Sequence, residues 1–203
     1  PSVSDIPSPD KEFEINSALI IDDLLYTANP FPKTGDPFAK LSGVASFSSR
    51  RSVLLPRGPW DFQGALKSFG PPQSFVYTGM LSGSSIPQAL SVELSYPVPA
   101  DTFIDITSSA PNALSVLGDG VLIPAGGTSA VVDLSSGLLP LQNATLTATW
   151  NNISYSADVR VLDPAEQPVL QAIGPNPAFV ATGKTQDFAV KLDIPAPTDI
   201  TVN

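Results

Sequence analysis

Few residues in this chain are of the types that carry out chemistry at neutral pH. The 203 residues include no cysteine and no histidine, which excludes thiolate nucleophiles, Cys/His zinc sites, Ser-His-Asp triads and the commonest general base. Catalysis would need carboxylates alone, and no such site can be located. The carboxylates near expected turns match no calcium-loop spacing; they are Asp22, Asp23, Asp36, Asp101, Asp105 and Asp119. We therefore expect no enzyme, metal or cofactor.

The positive charges are concentrated in the first third of the chain. Residues 1–70 hold seven Lys and Arg against eight acids, whereas residues 71–203 hold three against eleven. A net charge of −9 argues against binding of a phosphate backbone by the chain as a whole. Only the first third could meet an anion or a nucleic acid, and the candidate contacts there are Lys40, Arg50, Arg51 and Arg57.

The composition indicates a globular chain of short strands. Hydrophobic residues make up 42% and charged residues 14%, which excludes a disordered acidic tail. Twenty-two prolines and fourteen glycines lie scattered between short Val, Ile, Leu, Thr and Ser runs, a pattern typical of strands joined by turns. No apolar run reaches the 18 residues of a membrane-spanning helix. Because the sequence begins at Pro1, we expect any signal peptide to be removed or to lie outside it.

The pattern divides the chain into segments. Residues 1–10 are rich in Pro and Ser and predict a linker. Residues 11–69 predict short strands, with two strands broken at Asp22-Asp23. Residues 70–163 contain six strand-sized units spaced about ten residues apart, as in a β-sandwich of immunoglobulin size.

Within the sandwich segment, one turn is specified by its residue types. Asn151-Asn152 separates TLTATW from ISYSADVRV. Asparagine tolerates positive φ, so this pair predicts a two-residue hairpin turn.

An internal repeat links the middle of the chain to its end. GPPQSFVYTG (70–79) recurs as GPNPAFVATG (174–183), and VELSYPVPADTFIDI (92–106) recurs as VKLDIPAPTDITV (190–202). The offsets of 104 and 98 residues match the size of one immunoglobulin-like domain. Residues 164–203 therefore predict the first strands of a second sandwich repeat, too few to bury a sheet face alone.

Two alternatives could complete this second repeat. Either the parent chain continues and this sequence is a fragment, or the tail adds to a sheet edge of this molecule or a neighbour. The residues proposed for strand addition are Phe188, Val190, Leu192, Ile200 and Val202. The partners expected are proteins in both cases, either neighbouring domains of a longer chain or identical subunits joined through edge strands.

Three motifs carry a resemblance to a known family. They are VELSYPVPADTFIDITSS, VLIPAGGTSAVVDL and ATLTATWNNISYSADVRVLD. With these motifs, residues 70–203 resemble the tandem immunoglobulin-like repeats of large bacterial exported proteins. The resemblance implies an all-β fold with one complete immunoglobulin-like sandwich and a truncated second one. It also implies a secreted or cell-surface location and a structural, adhesive or assembly role.

A second resemblance covers the N-terminal part. GDPFAKLSGVASFSS (35–49) and LLPRGPWDF (54–62) resemble the later half of the OB-like barrel that accompanies secreted bacterial nucleases. This implies an incomplete barrel over residues 11–69 whose first strands are missing. It also implies an alternative function, an accessory nucleic-acid or polyanion-binding module of a secreted nuclease or hydrolase. The aromatic residues Tyr26, Phe31, Phe38 and Phe47 would contribute, although most of them are expected in the core.

Overall fold

The computed structural model describes residues 2–5, 12–48, 51–140, 142–175, 177–196 and 201. These residues form β-strands joined by turns and two short 3₁₀ segments, Pro59–Asp61 and Leu117–Asp119, without an α-helix. No helix in these ranges is long and apolar enough to cross a bilayer. The expectation of an all-β chain is confirmed.

The strands are numbered in chain order. They are β1 (Val3–Asp5), β2 (Phe13–Ile15), β3 (Leu19–Ile21), β4 (Phe38–Leu41), β5 (Val44–Ser48), β6 (Arg51–Leu55), β7 (Phe62–Gly64), β8 (Leu66–Gly70), β9 (Gln73–Tyr77), β10 (Ser91–Leu94), β11 (Thr102–Ser108), β12 (Leu114–Val116), β13 (Gly120–Ile123), β14 (Ser129–Val131), β15 (Leu134–Ser136), β16 (Asn143–Trp150), β17 (Ile153–Leu162), β18 (Leu170–Gly174) and β19 (Ala189–Leu192).

The strands up to β7 form an N-terminal module with its own aromatic core. One sheet has the order β1-β2-β3-β6-β5, in which β3 and β6 are parallel, and β4 pairs with β7. The ring of Phe62 is fully buried. It lies 5.5 to 6.4 Å, between ring centroids, from the rings of Phe13, Tyr26, Phe38 and Tyr96. Such aromatic pairs stabilise a small core by more than the burial of their apolar surface alone provides.

The first hairpin differs from the prediction. The turn between β2 and β3 lies at residues 16–18 and not at Asp22-Asp23. Asn16 and Ser17 take φ values of 50° and 54°, a left-handed conformation that short polar side chains tolerate. The five-stranded sheet includes β1, which lies within residues 1–10, where a linker was expected. Its OB-like class stays a prediction.

Residues 66–162 form a β-sandwich. The sheet β14-β10-β8 packs on the sheet β13-β11-β16-β17-β9, and β12 pairs with β15 beside them. Val92 from the first sheet and Ile104, Leu146 and Val159 from the second have no exposed surface in a common core. Each of the six strand-sized units predicted from the sequence contains at least one strand.

The sandwich begins earlier than the boundary placed at residue 70. Strand β8 pairs with β10, and Leu66 and Phe69 are buried in the sandwich core. Leu66 lies opposite Leu94 while Ser68 lies opposite Glu93, so Lys67 is the extra residue of a β-bulge. The bulge brings positions i and i+3 to the same face, which hides the period-two pattern of a strand.

The hairpin between β16 and β17 confirms the turn predicted at Asn151-Asn152. Trp150 lies opposite Ile153, and the two asparagines have φ values of 49° and 63°. Positive φ at both central positions is the type I′ geometry that matches the twist of paired strands. This hairpin carries the longest ladder of the sandwich.

Candidate functional site

The C-terminal tail forms a hairpin that repeats the register of the first two strands of the sandwich. Strands β18 and β19 are antiparallel, as are β8 and β10. The opposed pairs are Gly70 with Ser91, Phe69 with Val92, Ser68 with Glu93 and Leu66 with Leu94 in the first copy, and Gly174 with Ala189, Ile173 with Val190, Ala172 with Lys191 and Leu170 with Leu192 in the second. The bulge falls at the same repeat position, Lys67 in one hairpin and Gln171 in the other.

A reciprocal pair of hydrogen bonds closes the base of the first hairpin, where it follows the N-terminal module. The Ser95 amide donates to the Ala65 carbonyl at 3.0 Å, and the Ala65 amide donates to Ser95 Oγ at 2.8 Å. Ser95 Oγ in turn donates to the carbonyl of Pro37 in the N-terminal module. Ala65 is the single residue between β7 and β8, so the two parts of the chain meet without a linker.

The same reciprocal bonds recur at the second hairpin. The Asp193 amide donates to the Val169 carbonyl at 3.1 Å, and the Val169 amide donates to Asp193 Oδ1 at 2.6 Å. Val169 follows Ala65 by 104 residues and Asp193 follows Ser95 by 98, which are the two offsets of the sequence repeat. A carboxylate therefore takes the place of the hydroxyl as the side-chain acceptor.

The next residue along the chain inserts into the preceding part of the molecule in both copies. Tyr96 is buried in the aromatic core of the N-terminal module, with ring centroids 5.3 Å from Phe38 and 5.5 Å from Phe62. Ile194, its equivalent, is buried against Phe75 and Leu162 of the sandwich. We name Ala65, Ser95 and Tyr96 the first junction, and Val169, Asp193 and Ile194 the second junction.

Sequence reasoning missed the role of these junction residues. The signal was present, because Ser95-Tyr96 and Asp193-Ile194 occupy matching positions in the repeated blocks. Neither pair has a residue type that suggests function. Only their burial and hydrogen bonds distinguish them from ordinary residues at a strand end.

The two hairpins differ in what covers their apolar faces. Leu66, Phe69 and Val92 are 1%, 5% and 0% exposed, whereas their equivalents are about half exposed. Those equivalents are Leu170 at 47%, Ile173 at 54% and Val190 at 46%. The second hairpin thus has the fold of the first without the sheet that buries it, which leaves an exposed apolar face.

The segment that follows the hairpin's first strand shows the same contrast. Residues 73–77 form β9, which pairs in parallel with β17, but the matching residues 177–181 form no strand. Phe75 is 9% exposed and its equivalent Phe179 is 85% exposed. A strand with no neighbour to accept its hydrogen bonds gains little from being extended.

The residues proposed for strand addition occupy different positions. Val190 and Leu192 lie in β19 and are already paired on one edge with β18, and Phe188 precedes this strand and is half exposed. Ile200 and Val202 lie outside the described residues. The described part of the tail is therefore a hairpin rather than a single free strand, and strand addition stays a prediction.

Two of the four candidate cationic residues form ion pairs with carboxylates of the same module. Arg57 Nη2 lies 2.9 Å from Asp61 Oδ1, and Arg51 Nη2 lies 2.5 Å from Glu14 Oε1. Such pairing lowers the positive potential that an anion would meet. Arg50 lies outside the described residues. Of the three described candidates, Arg51 and Arg57 are thus paired with acids, and a basic site formed by all four residues stays a prediction.

Lys40 lines a cleft where the N-terminal module meets the sandwich. The cleft has a volume of about 220 Å³ and is also lined by Gln63, Thr102 and both tryptophans of the chain, Trp60 and Trp150. No group of three acidic residues that could hold a metal ion occurs among the described residues.

Asp61 is a buried carboxylate that organises the end of the N-terminal module. Its oxygens accept hydrogen bonds from the Arg57 guanidinium, the Ser42 hydroxyl at 2.6 Å and the Arg57 amide at 2.7 Å. The Arg57 side chain contributes most to holding the pKa of Asp61 well below its ordinary value, against the opposing effect of burial. Asp61 thus orders the loop that carries Trp60.

This arrangement predicts an acid-dependent contribution to stability. Because the pKa of Asp61 is lower in the folded state than in the unfolded one, the contribution is complete above the unfolded value of about 4 and is lost as the pH falls below it. Asp61→Asn should cost about 2 kcal/mol at pH 7. The cost should shrink in chemical denaturation curves below pH 4. If Asp61→Asn destabilised the protein equally at all pH values, the Asp61–Arg57 pair would not be ionised as proposed.

The fold and its junctions define an all-β chain in which a sandwich follows an N-terminal module and a second hairpin repeats the sandwich's first one. No protein-family model matches the chain, and no curated protein sequence matches it.

Three solved structures are similar to parts of the chain. Domains 4 and 5 of the S-layer protein SbsC share 14% identity over 55% of this chain and 56% of theirs, with a TM-score of 0.35. SbsC domains 4–9 share 13% over 70% of this chain and 20% of theirs, at 0.36. SSP-19, an MSP-domain protein like family member of Caenorhabditis elegans, shares 11% over 47% of this chain and 99% of its own, at 0.32. Likeness at these TM-scores does not establish a common fold.

Proposed function

We propose that this chain is a non-catalytic structural module of a bacterial extracellular or cell-surface protein. In this proposal it acts as a spacer in which β-domains are stacked in a fixed orientation. The observation that carries the proposal is that the reciprocal hydrogen bonds and the buried residue of the first junction recur at the second. A junction that recurs at the spacing of the sequence repeat would fix the orientation of each β-domain relative to the domain before it.

The short connection and the buried ring at the first junction support a rigid link between the N-terminal module and the sandwich. Domain boundaries usually fall in flexible, polar linkers that few contacts cross. Here one residue, Ala65, separates β7 from β8, and Tyr96 extends from the sandwich into the core of the preceding module. Bending at this point would therefore withdraw a buried aromatic ring from its packing.

Strand order supports the immunoglobulin-like assignment within this proposal. An immunoglobulin sandwich of the constant type places strands A, B and E in one sheet and C, F and G in the other. The order β8-β10-β14 opposite β11-β16-β17 follows that arrangement. The partners that we propose are accordingly neighbouring domains of the same type. Identical subunits that add strands to the tail remain the alternative.

Because the chain contains no cysteine, its rigidity can be measured with two introduced spin labels. Ser46→Cys in β5 and Thr107→Cys in β11 place labels at exposed sites on either side of the first junction. We expect one narrow population of label-to-label distances that does not change with ionic strength. A broad distribution would remove the rigid-spacer proposal. Paired labels within the sandwich, at residues 107 and 156, provide the control for label motion.

The alternative of a nucleic-acid or polyanion-binding module predicts a different result. Such binding weakens steeply with salt because it releases counterions from the nucleic acid. We expect the chain not to bind single-stranded DNA even at low salt, given the ion pairs of Arg51 and Arg57. Salt-dependent binding that is lost on Arg50→Ala/Arg51→Ala would favour the alternative over the structural role.

A further inference from the structure

We propose that the exposed face of the second hairpin, β18 and β19, is a docking surface for the five-stranded sheet of a second sandwich. That second sandwich would be carried in tandem on the same polypeptide. The second hairpin is called the tail hairpin from here on. The tail face is defined by Leu170, Ile173, Val190 and Leu192. This inference rests on the proposed function and deepens it by naming the partner. It concerns the second hairpin, whereas the rigid-spacer test concerns the first junction.

The first hairpin shows which kind of side chains cover such a face. The equivalents of the tail face, Leu66, Phe69, Val92 and Leu94, are buried in the sandwich core. The covering side chains come from alternate positions of three strands in the opposite sheet; they are Ile104, Ile106, Leu146, Ala148, Ala157, Val159 and Val161. A sheet with aliphatic residues on alternate positions is therefore the occupant that fits.

The exposed segment at residues 178–181 independently indicates a sheet of this kind. Its equivalent in the first copy, β9, joins the opposite sheet as the parallel neighbour of β17. Phe179 and Val180 are 85% and 54% exposed in the tail. A partner that also provides a strand equivalent to β17 would cover both the tail face and this segment.

The second junction argues for a tandem neighbour rather than a second copy of the chain. Ile194 packs the tail hairpin against the first sandwich as Tyr96 packs the first hairpin against the N-terminal module, and the bonds of Asp193 and Ser95 close the base of each hairpin. The sequence match at the 98-residue offset also continues beyond the hairpin, where Asp199 matches Asp101 and Val202 matches Ile104. Ile104 is a core residue of β11, so the sequence places an apolar residue, Val202, where a core residue is expected.

The proposal can be tested by adding a second copy of the strands of that sheet to the end of the chain. In the matching register Asn203 corresponds to Asp105, so residues 106–163 are appended directly after Asn203 in the full chain. We expect the extended protein to be a monomer with a second cooperative unfolding transition. Backbone amides at 170–174, 178–181 and 189–192 should exchange with solvent at least tenfold more slowly than in the chain without the extension.

Matched variants on the two faces of β18 provide the control. In the extended protein, Ile173→Asp on the tail face should abolish the second transition and the amide protection. Ala172→Asp should retain both, because Ala172 corresponds to the half-buried Ser68 and lies opposite Lys191. The transition of the first sandwich, which neither variant touches, serves as the internal reference for folding.

Two results would overturn the proposal. One is an extended protein whose tail amides exchange as fast as before, since the tail face would then not accept a sheet of this class. The other is a concentration-dependent dimer of the unextended chain that Ile173→Asp abolishes, because the occupant would then be a second copy. Either result could occur while the labels across the first junction still report one distance, so the spacer function would stand separately.

Discussion

Replacing Val92 with aspartate should unfold the sandwich, whereas Val190→Asp, at the matching position of the second hairpin, should leave stability nearly unchanged. Val92 has no exposed surface and lies in the main core, while Val190 is 46% exposed. An unpaired carboxylate at Val92 would cost more than about 4 kcal/mol. That is comparable with the whole stability of a small domain. A charge at Val190 meets water and should change stability by less than about 0.5 kcal/mol.

Chemical denaturation followed by circular dichroism measures both variants on one scale. Val92→Ala is the control for lost packing without a charge and should cost roughly 2 kcal/mol. If Val190→Asp destabilised the chain as strongly as Val92→Asp, the tail face would already be buried in solution. The difference between the two hairpins, and the docking proposal with it, would then be wrong.

Replacing Tyr96 with alanine should uncouple the N-terminal module from the sandwich. The tyrosine ring packs against Phe38 and Phe62 in the N-terminal core although it belongs to the chain segment after β10. Loss of a buried aromatic side chain typically costs about 3–5 kcal/mol. That cost should fall mainly on the N-terminal module, since Tyr96 is absent from the main sandwich core.

Each part of the chain carries one of the two tryptophans, and both side chains line the cleft between the parts. Trp60 lies in the N-terminal module and Trp150 packs against the sandwich core. With single-tryptophan versions of the chain, we expect one shared unfolding transition in the parent. In Tyr96→Ala the Trp60 signal should change at lower denaturant than the Trp150 signal. Coincident transitions in the variant would show that Tyr96 does not couple the two parts.

Tyr96→Phe is the matched control for this experiment. The Tyr96 hydroxyl is buried and meets no described partner at full hydrogen-bond geometry. Burial raises the pKa of Tyr96 to about 12, against the opposing effect of the backbone at Asn29. Removing a buried hydroxyl that makes no hydrogen bond should be close to neutral. The phenylalanine variant should therefore keep the shared transition, which would assign the effect to the ring.

Local patterns in the sequence predicted much of the sandwich. The period-two alternation of β16 and β17 and the Asn151-Asn152 turn are properties of neighbouring residues, and the ladder between these strands follows from them. The bulge at Lys67 breaks that alternation in β8, so the sequence pattern predicts a start at residue 70 although Leu66 already lies in the sandwich core. The pattern predicts a break at Asp22-Asp23 and not the hairpin at residues 16–18, although Asn16 and Ser17 are also residues that favour turns.

The cationic candidates show the limit of residue type as a guide to a site. Their charge makes Arg51 and Arg57 candidates for anion binding, but each is paired with an acid, Glu14 or Asp61, in the folded chain. Glu14 is 37 residues from Arg51, and no sequence spacing identifies a partner at that distance. Whether a charge is available depends on the neighbours that folding supplies.

The sequence by itself determined the all-β class, the turn at Asn151-Asn152 and the match between residues 70–106 and 174–202, because each depends on neighbouring residues or on direct comparison of the chain with itself. The tertiary structure alone decided that Tyr96 belongs to the core of another module, that Ile194 repeats this role, and that the tail face is exposed. Burial is the sum of contacts from distant segments, so two hairpins of the same pattern and register can differ completely in exposure.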